Sequence, residues 1–372
     1  MSELHFNKEK GCQIKLFTPG PVQVPERVLK DLAKPNNTHR SKPYFEMHQM
    51  ATEGLQKVLF TKNECLLFTS SATGIMEACV RNLVKDDEKV LFFSIGAFGD
   101  RWYEIGEANG KISIKEGVEW GGAITPEFVH EVMEKDKYPV VCIQANETST
   151  GVYNPIEQLA PVIKDYGSLL CVDATSSMAG VKIEVDKLDI DVCLASVQKC
   201  FALPPGLAVC SISQAAIDKT SEVKNRGHYF DFETLLKSNK THQTPTTPPI
   251  PQIRGLVTQL DYMLKEEGLE RRFERHTQLG KRTRIWARDM NLEMFPIKEE
   301  YCSNTVSTMK NSLNIDIAKM VETLRERGYG IVNGYGGLKN KTFRIGHMGE
   351  ITINELEEML KVLTDIIVEL RS

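Results

Sequence analysis

Short apolar runs recur through the first two thirds of the chain, each closed by a polar or small residue. They lie at Cys65–Thr69, Lys89–Ser94, Lys111–Lys115, Pro139–Gln144, Ser168–Asp173, Asp191–Val197 and Gly206–Ile212. Most are apolar without a break, the pattern of strands buried on both faces; Lys111–Lys115 alternates. Between them, spacings of three and four predict helices over Phe45–Phe60 and Ile75–Val84. Further helices open at Thr125-Pro126-Glu127, with proline in the first turn, and at Asn154-Pro155. Strands alternating with helices predict an α/β fold, a mostly parallel seven-stranded sheet with helices on both faces.

The last third reads differently. The segment Lys240–Pro251 is too rich in proline for a helix interior or a central strand. From Gln252 the pattern is helical to about Arg288. Strands follow at Asn304–Met309 and Lys341–Gly346, with a helix over Asp316–Arg327 between them. In the last helix Leu356, Met359, Leu360, Leu363, Ile366, Ile367 and Leu370 form one apolar stripe. This predicts an N-terminal arm over residues 1–17, a large domain over 18–255 and a smaller C-terminal α+β domain over 256–372.

Composition narrows the classes. A net charge of −4 gives no general attraction to nucleic acid or anionic membranes. The N-terminal residues lack the apolar core of a signal peptide, and no run approaches the roughly 20 apolar residues that span a bilayer. The nine cysteines contain no Cys-x-x-Cys pair, so a metal site is not expected. Cys142, Cys171, Cys193 and Cys210 fall inside strand-like runs and read as buried thiols, which suits a cytoplasmic protein. Arg271, Arg272, Arg275 and His276 have acids beside them and are expected on a solvated helix face. No Gly-x-Gly-x-x-Gly follows a strand, against a nucleotide-binding dehydrogenase.

The candidate chemistry sits at strand ends, where open α/β sheets collect ligands. Lys199 follows Asp191–Val197 and precedes the turn Pro204-Pro205-Gly206. It is either a surface lysine or a buried one, and burial requires that its charge be paired or removed. A Schiff base to an aldehyde cofactor removes it. Asp173 ends the neighbouring run, with Thr175 just beyond. Ser71-Ala72-Thr73 lies between a strand and a helix, as an N-cap or a phosphate cup. Phe98 sits between two glycines, as a core ring or a stacking one. Thr148 lies in the polar rim Ala145–Gly151, as a turn residue or a ligand. Arg344 interrupts an apolar run, as half of a salt bridge or as a carboxylate fork.

Taken in order, Thr18-Pro19-Gly20-Pro21, Asp173-Ala174-Thr175-Ser176-Ser177, Ser196-Val197-Gln198-Lys199, Pro204-Pro205-Gly206 and Phe343-Arg344-Ile345-Gly346 resemble the class V aminotransferases. These are pyridoxal 5′-phosphate (PLP) enzymes of fold type I, and the likeness is to the alanine–glyoxylate and serine–pyruvate group. The resemblance implies a PLP-binding large domain and a homodimer with shared active sites. Lys199 would hold PLP and act as the base, and Asp173 would face the pyridine nitrogen. Ser71, Ala72 and Thr73 would hold the phosphate, although the family usually has glycine where Ala72 stands. Phe98 would stack on the ring, Thr148 would meet its phenolic oxygen, and Thr175 and Gln198 would line the cofactor. Thr244 would reach the neighbouring subunit's phosphate, and Thr241 falls where relatives often carry tyrosine. His39 and Arg40 lie on a loop placed near the site. Gly20 and Arg344 would bind the substrate, a small amino acid or a 2-oxo acid such as glyoxylate or pyruvate. Two rivals stand beside this reading: cysteine desulfuration, with Cys302 as the loop nucleophile, and a non-catalytic binding protein.

Overall fold

The computed structural model describes residues 14–371. All seven apolar runs form strands of one sheet: β1 Glu64–Phe68, β2 Lys89–Ser94, β3 Ile112–Gly117, β4 Val140–Gln144, β5 Leu169–Asp173, β6 Val192–Ser196 and β7 Ala208–Ile212. Their order is β1-β7-β6-β5-β4-β2-β3. The run β6-β5-β4-β2-β3 is parallel, whereas β7 lies antiparallel to both β1 and β6.

The unbroken apolarity has a direct cause. Successive residues point to opposite faces, and each face is covered. Leu91, Phe93, Val141, Ile143 and Val172 enter one apolar core. Val90, Phe92, Val140, Cys142 and Cys171 enter another on the opposite face. Burying each large side chain contributes about 1.5–3 kcal/mol. Strand β3 is an edge strand with none of its residues buried, hence its alternating sequence.

The helices that matter to the site are α1 Lys42–Val58, α2 Ala72–Leu83, α3 Ala97–Ala108, α4 Ile250–Asp261, α5 Leu269–Asp289 and α6 Ile353–Arg371. The single helix expected from Gln252 to Arg288 is interrupted. A wide π-type turn over Tyr262–Glu267 separates α4 from α5, and Gly268, at φ +79°, ends it in a backbone region that favours glycine.

In the C-terminal third, β8 Val306–Lys310, β9 Val332–Asn333 and β10 Thr342–Gly346 form an antiparallel sheet in the order β8-β10-β9. The stripe of α6 packs with Met309, Phe343 and Ile345 in a third core. Phe17 joins that core, and Lys15–Leu16 pairs in parallel with Tyr329–Gly330. Residues 1–13 of the expected arm lie outside the described residues.

Candidate active site

Strand β1 runs through Thr69 and Ser70 into α2, whose N-terminus carries no side-chain cap although Ser71 occupies the cap position. Its first backbone donors therefore face outward, where the helix dipole favours an anion. One is already engaged: Ala72 N–H donates to Ser196 Oγ at 2.6 Å. Ser196, the last residue of β6, thus closes the cup, and its role did not emerge from the sequence.

Strands β5 and β6 are parallel neighbours, and Asp173 sits opposite Leu194. Their ends bring Asp173 and Lys199 to one cavity of about 310 Å³. Gly20, Ser71, Ala72, Thr73, Phe98, Thr148, Thr175 and Gln198 line the same cavity. Asp173 accepts the Thr175 backbone N–H at 2.9 Å. Burial raises its pKa, opposed by Thr175 and by the positive charges of Lys199 and Arg101. Lys199 is 9% exposed, and its Nζ donates to the Pro19 carbonyl. Burial pulls its amine down to about 8, helped by Arg344 and opposed by Asp173. The turn Thr18–Pro21 lies against the lysine stem. Gly20 has φ +117°, and a Cβ there would fall 2.5 Å from Lys199 Cδ.

The other wall is organised by the loop Glu147–Ser149. Glu147 is fully buried. Its carboxylate accepts N–H groups from Phe98 at 3.0 Å, Gly99 at 3.1 Å and Ser149 at 2.9 Å, and the Ser149 hydroxyl at 2.6 Å. A carboxylate from a different strand thereby caps α3, the helix that presents Phe98. Thr148 Oγ1 meets Ser176 Oγ at 2.5 Å. The Thr148 carbonyl accepts from Arg344 at 3.2 Å, and the Asn333 carbonyl takes two further Arg344 donors. Arg344 is 6% exposed, and burial lowers its pKa to about 10. Its guanidinium lies 5.6 Å from the centre of the Tyr335 ring, which stacks on Phe98 at 5.4 Å and 15°.

Residues 14–339 match the family model for aminotransferase class-V. The chain belongs to the class-V aminotransferases. An uncharacterized aminotransferase of Methanocaldococcus jannaschii is 39% identical over 339 residues, 90% of this chain and 87% of the relative. The serine–glyoxylate aminotransferase of Methylorubrum extorquens is 33% identical over 354 residues, 92% and 87% of the two chains. Among solved structures, an aspartate aminotransferase of subgroup IV from Thermus thermophilus superposes with a TM-score of 0.88 at 27% identity, covering 95% of this chain and 99% of that one. Class-V aminotransferases are PLP-dependent enzymes of fold type I, and this one is built on that fold.

The cavity of this class-V aminotransferase fits PLP. Gln198 Oε1 is buried, belongs to a residue that lines the cavity and has no partner among the described residues, so a polar ligand would satisfy it. The buried Asp173 carboxylate suits a protonated ring nitrogen, and the open start of α2 suits a phosphate.

Other expectations land elsewhere. Thr244 is buried outside the cavity wall; its hydroxyl donates to the Thr246 carbonyl at 2.7 Å, and its own carbonyl accepts from Arg40 at 2.9 Å. Cys302 is buried in the C-terminal part with its thiol against the Lys298 carbonyl and does not line the cavity, so it supplies no nucleophile there. The solvated face expected of α5 is corrected: Arg272 and His276 are fully buried. Arg272 donates to the carbonyls of Ala179 at 2.7 Å and Cys200 at 2.5 Å and pairs with Glu267 at 2.5 Å. Arg275 pairs with Glu267 too and reaches the Gly349 and Ile351 carbonyls. Of the four, Arg271 is exposed. Arg272 thus grips the turn just beyond Lys199. Met76, Arg101, Tyr335 and Ser196 also line the cavity, and none was singled out from the sequence, whereas Arg344 is not among the lining residues and lies against Tyr335.

Proposed function

We propose that this PLP-dependent transaminase moves an amino group from a small amino acid, alanine, serine or similar, to a 2-oxo acid such as glyoxylate or pyruvate. The observation that carries this reading is the convergence of Lys199, Asp173 and the open N-terminus of α2 on one cavity. The serine–glyoxylate relative, similar over most of both chains, supports the acceptor.

PLP, when bound, supplies an electron sink for negative charge developing at the substrate Cα. The chain's residues do the rest. Ser71, Ala72, Thr73 and Ser196 would hold the phosphate, Asp173 would keep a proton on the ring nitrogen, and Phe98 would fix the ring plane. Thr148, Thr175 and Gln198 would meet the remaining polar edge, and Gly20 would let the backbone close over Lys199. Arg344 would take the α-carboxylate in its fork. Lys199 Nζ would remove the proton at Cα. With a pKa of about 8 the amine keeps a substantial neutral fraction near neutral pH, as a base requires.

On this reading residues 18–255 form the cofactor-binding part and 256–372 the smaller part. Two copies would share their sites, with Thr244 reaching the partner's phosphate; its position off its own cavity and beside Arg40 favours that arrangement. The eight described cysteines are free and buried, which suits the cytoplasm.

The test is a screen of amino donors and 2-oxo acceptors with the PLP-loaded enzyme, followed by the absorbance of the bound cofactor. Conversion by a small donor, reversed by glyoxylate or pyruvate, is expected. A loaded enzyme inert to every pair would overturn the reading.

A further inference from the structure

The C-terminal part holds a second cavity, of about 220 Å³, that shares no lining residue with the catalytic one. One wall is the end of α5, where Arg284 and Arg288 stand one helical turn apart on the same face. The Arg284 side chain is only 12% exposed, and its Nε and Nη1 are buried without a hydrogen-bond partner among the described residues. One acid faces both guanidinium groups. Glu299 lies 3.7 Å from Arg284 Nε and 3.6 Å from Arg288 Nη2, beyond hydrogen-bond distance, and is itself exposed. A guanidinium withdrawn from water calls for acceptors at closer range. Arg272 and Arg344 meet that need with backbone carbonyls, and Arg284 does not.

The facing wall is apolar, built from Leu292, Met294, Pro296 and Ile297. Ile297 is 68% exposed, a large aliphatic side chain left uncovered beside the two arginines. Cys302 adds a neutral surface, because burial pushes its thiol up to about 11.

We propose that this cavity is a second ligand site, for a small organic carboxylate with a short aliphatic body. The carboxylate would lie between Arg284 and Arg288, whose planar guanidinium groups match its two oxygens. Glu299 would turn out to solvent, and the aliphatic body would cover Met294, Pro296 and Ile297. Inorganic phosphate would satisfy the arginines but leave that apolar wall bare. The volume falls below the roughly 300–1,000 Å³ of drug-sized ligand sites, which selects a small molecule.

The test titrates 3-methylbutanoate, its neutral amide and inorganic phosphate into the PLP-loaded enzyme, followed by ligand-observed NMR. A dissociation constant on the order of millimolar is expected for the carboxylate, with the amide and phosphate about tenfold weaker or more. Arg284→Gln should weaken the carboxylate by about tenfold. Arg288→Gln, at a side chain 70% exposed, should do so with the melting temperature unchanged. Glu299→Gln removes the competing charge and should tighten binding by about threefold, a gain that a purely structural role for these residues would not give. Arg344→Gln, which alters the catalytic site, should bind the carboxylate as wild type does. The absence of saturable binding overturns the site, as does an amide or phosphate that binds as well as the carboxylate. Binding unmoved by Arg288→Gln or weakened by Glu299→Gln also overturns it. Binding lost in Arg344→Gln would place the carboxylate in the catalytic cavity and overturn it too.

Discussion

The two sides of the cavity are built differently. On one, Asp173, Ser196 and the start of α2 are tied to central strands, and Lys199 follows on a turn held by buried carbonyl contacts. On the other, Phe98, Arg101 and Tyr335 are partly exposed and touch one another chiefly through side chains. Tyr335 sits between Gly334 and Gly336, the latter at φ +55°. The first side suits a group that stays bound; the second suits one that must enter and leave. Glu147 joins the two, holding α3 while its neighbour Thr148 meets Arg344 and Ser176.

The largest expected effect lies on the fixed side. Lys199→Ala should lower transamination by roughly 10²–10⁴-fold, the usual range for a lost proton carrier, read as single-turnover conversion of a donor. A wild-type rate would remove the lysine from the mechanism. Arg272→Ala comes next. It strips a buried arginine from Glu267 and two carbonyls, and breaking such a buried pair costs about 3–5 kcal/mol. Thermal unfolding should record that loss, and PLP retention should fall with it. An unchanged melting temperature would show that the turn beyond Lys199 stands without its strut.

Glu147→Gln sharpens the comparison from the joint. The amide must turn an N–H toward a donor, leaving one buried group unsatisfied, which costs about 1–3 kcal/mol. The circular dichroism of bound PLP should change as Phe98 shifts, and weaker PLP binding should accompany it. An unaltered cofactor spectrum would mean that Phe98 is held by its own packing.

The smallest effect is one of pH. With the Lys199 amine pulled down to about 8, its unprotonated, nucleophilic form grows as pH rises through that value. The rate of PLP uptake by apoenzyme should therefore climb between about pH 7 and 9 and flatten above. A climb that begins only near pH 10 would indicate an ordinary, solvated lysine.

Much of this was legible in the sequence because sheet interiors write themselves locally. A run such as Leu169–Asp173 is apolar at every position until the strand reaches its rim, so the same five residues announce both strand and site. The α5 cluster was not legible for the opposite reason. Arg272 is stabilised by carbonyls 93 and 72 residues away in the chain, and nothing in its own helix marks it as buried. Glu147 lay in plain view inside the rim Ala145–Gly151, but its partners Phe98 and Gly99 come from another strand–helix unit. Tyr335 follows a two-residue strand, too short to carry a period.

The direction of β7 has a consequence for how the protein is made. Because β7 slots between β1 and β6, those two strands present bare hydrogen-bonding edges to each other until residue 212 has left the ribosome. Lys199 sits in the connection that must fold back to fill this gap. A nascent chain therefore carries an adhesive slot in its middle for as long as translation takes to cross it, and pausing in that interval would favour clumping over maturation.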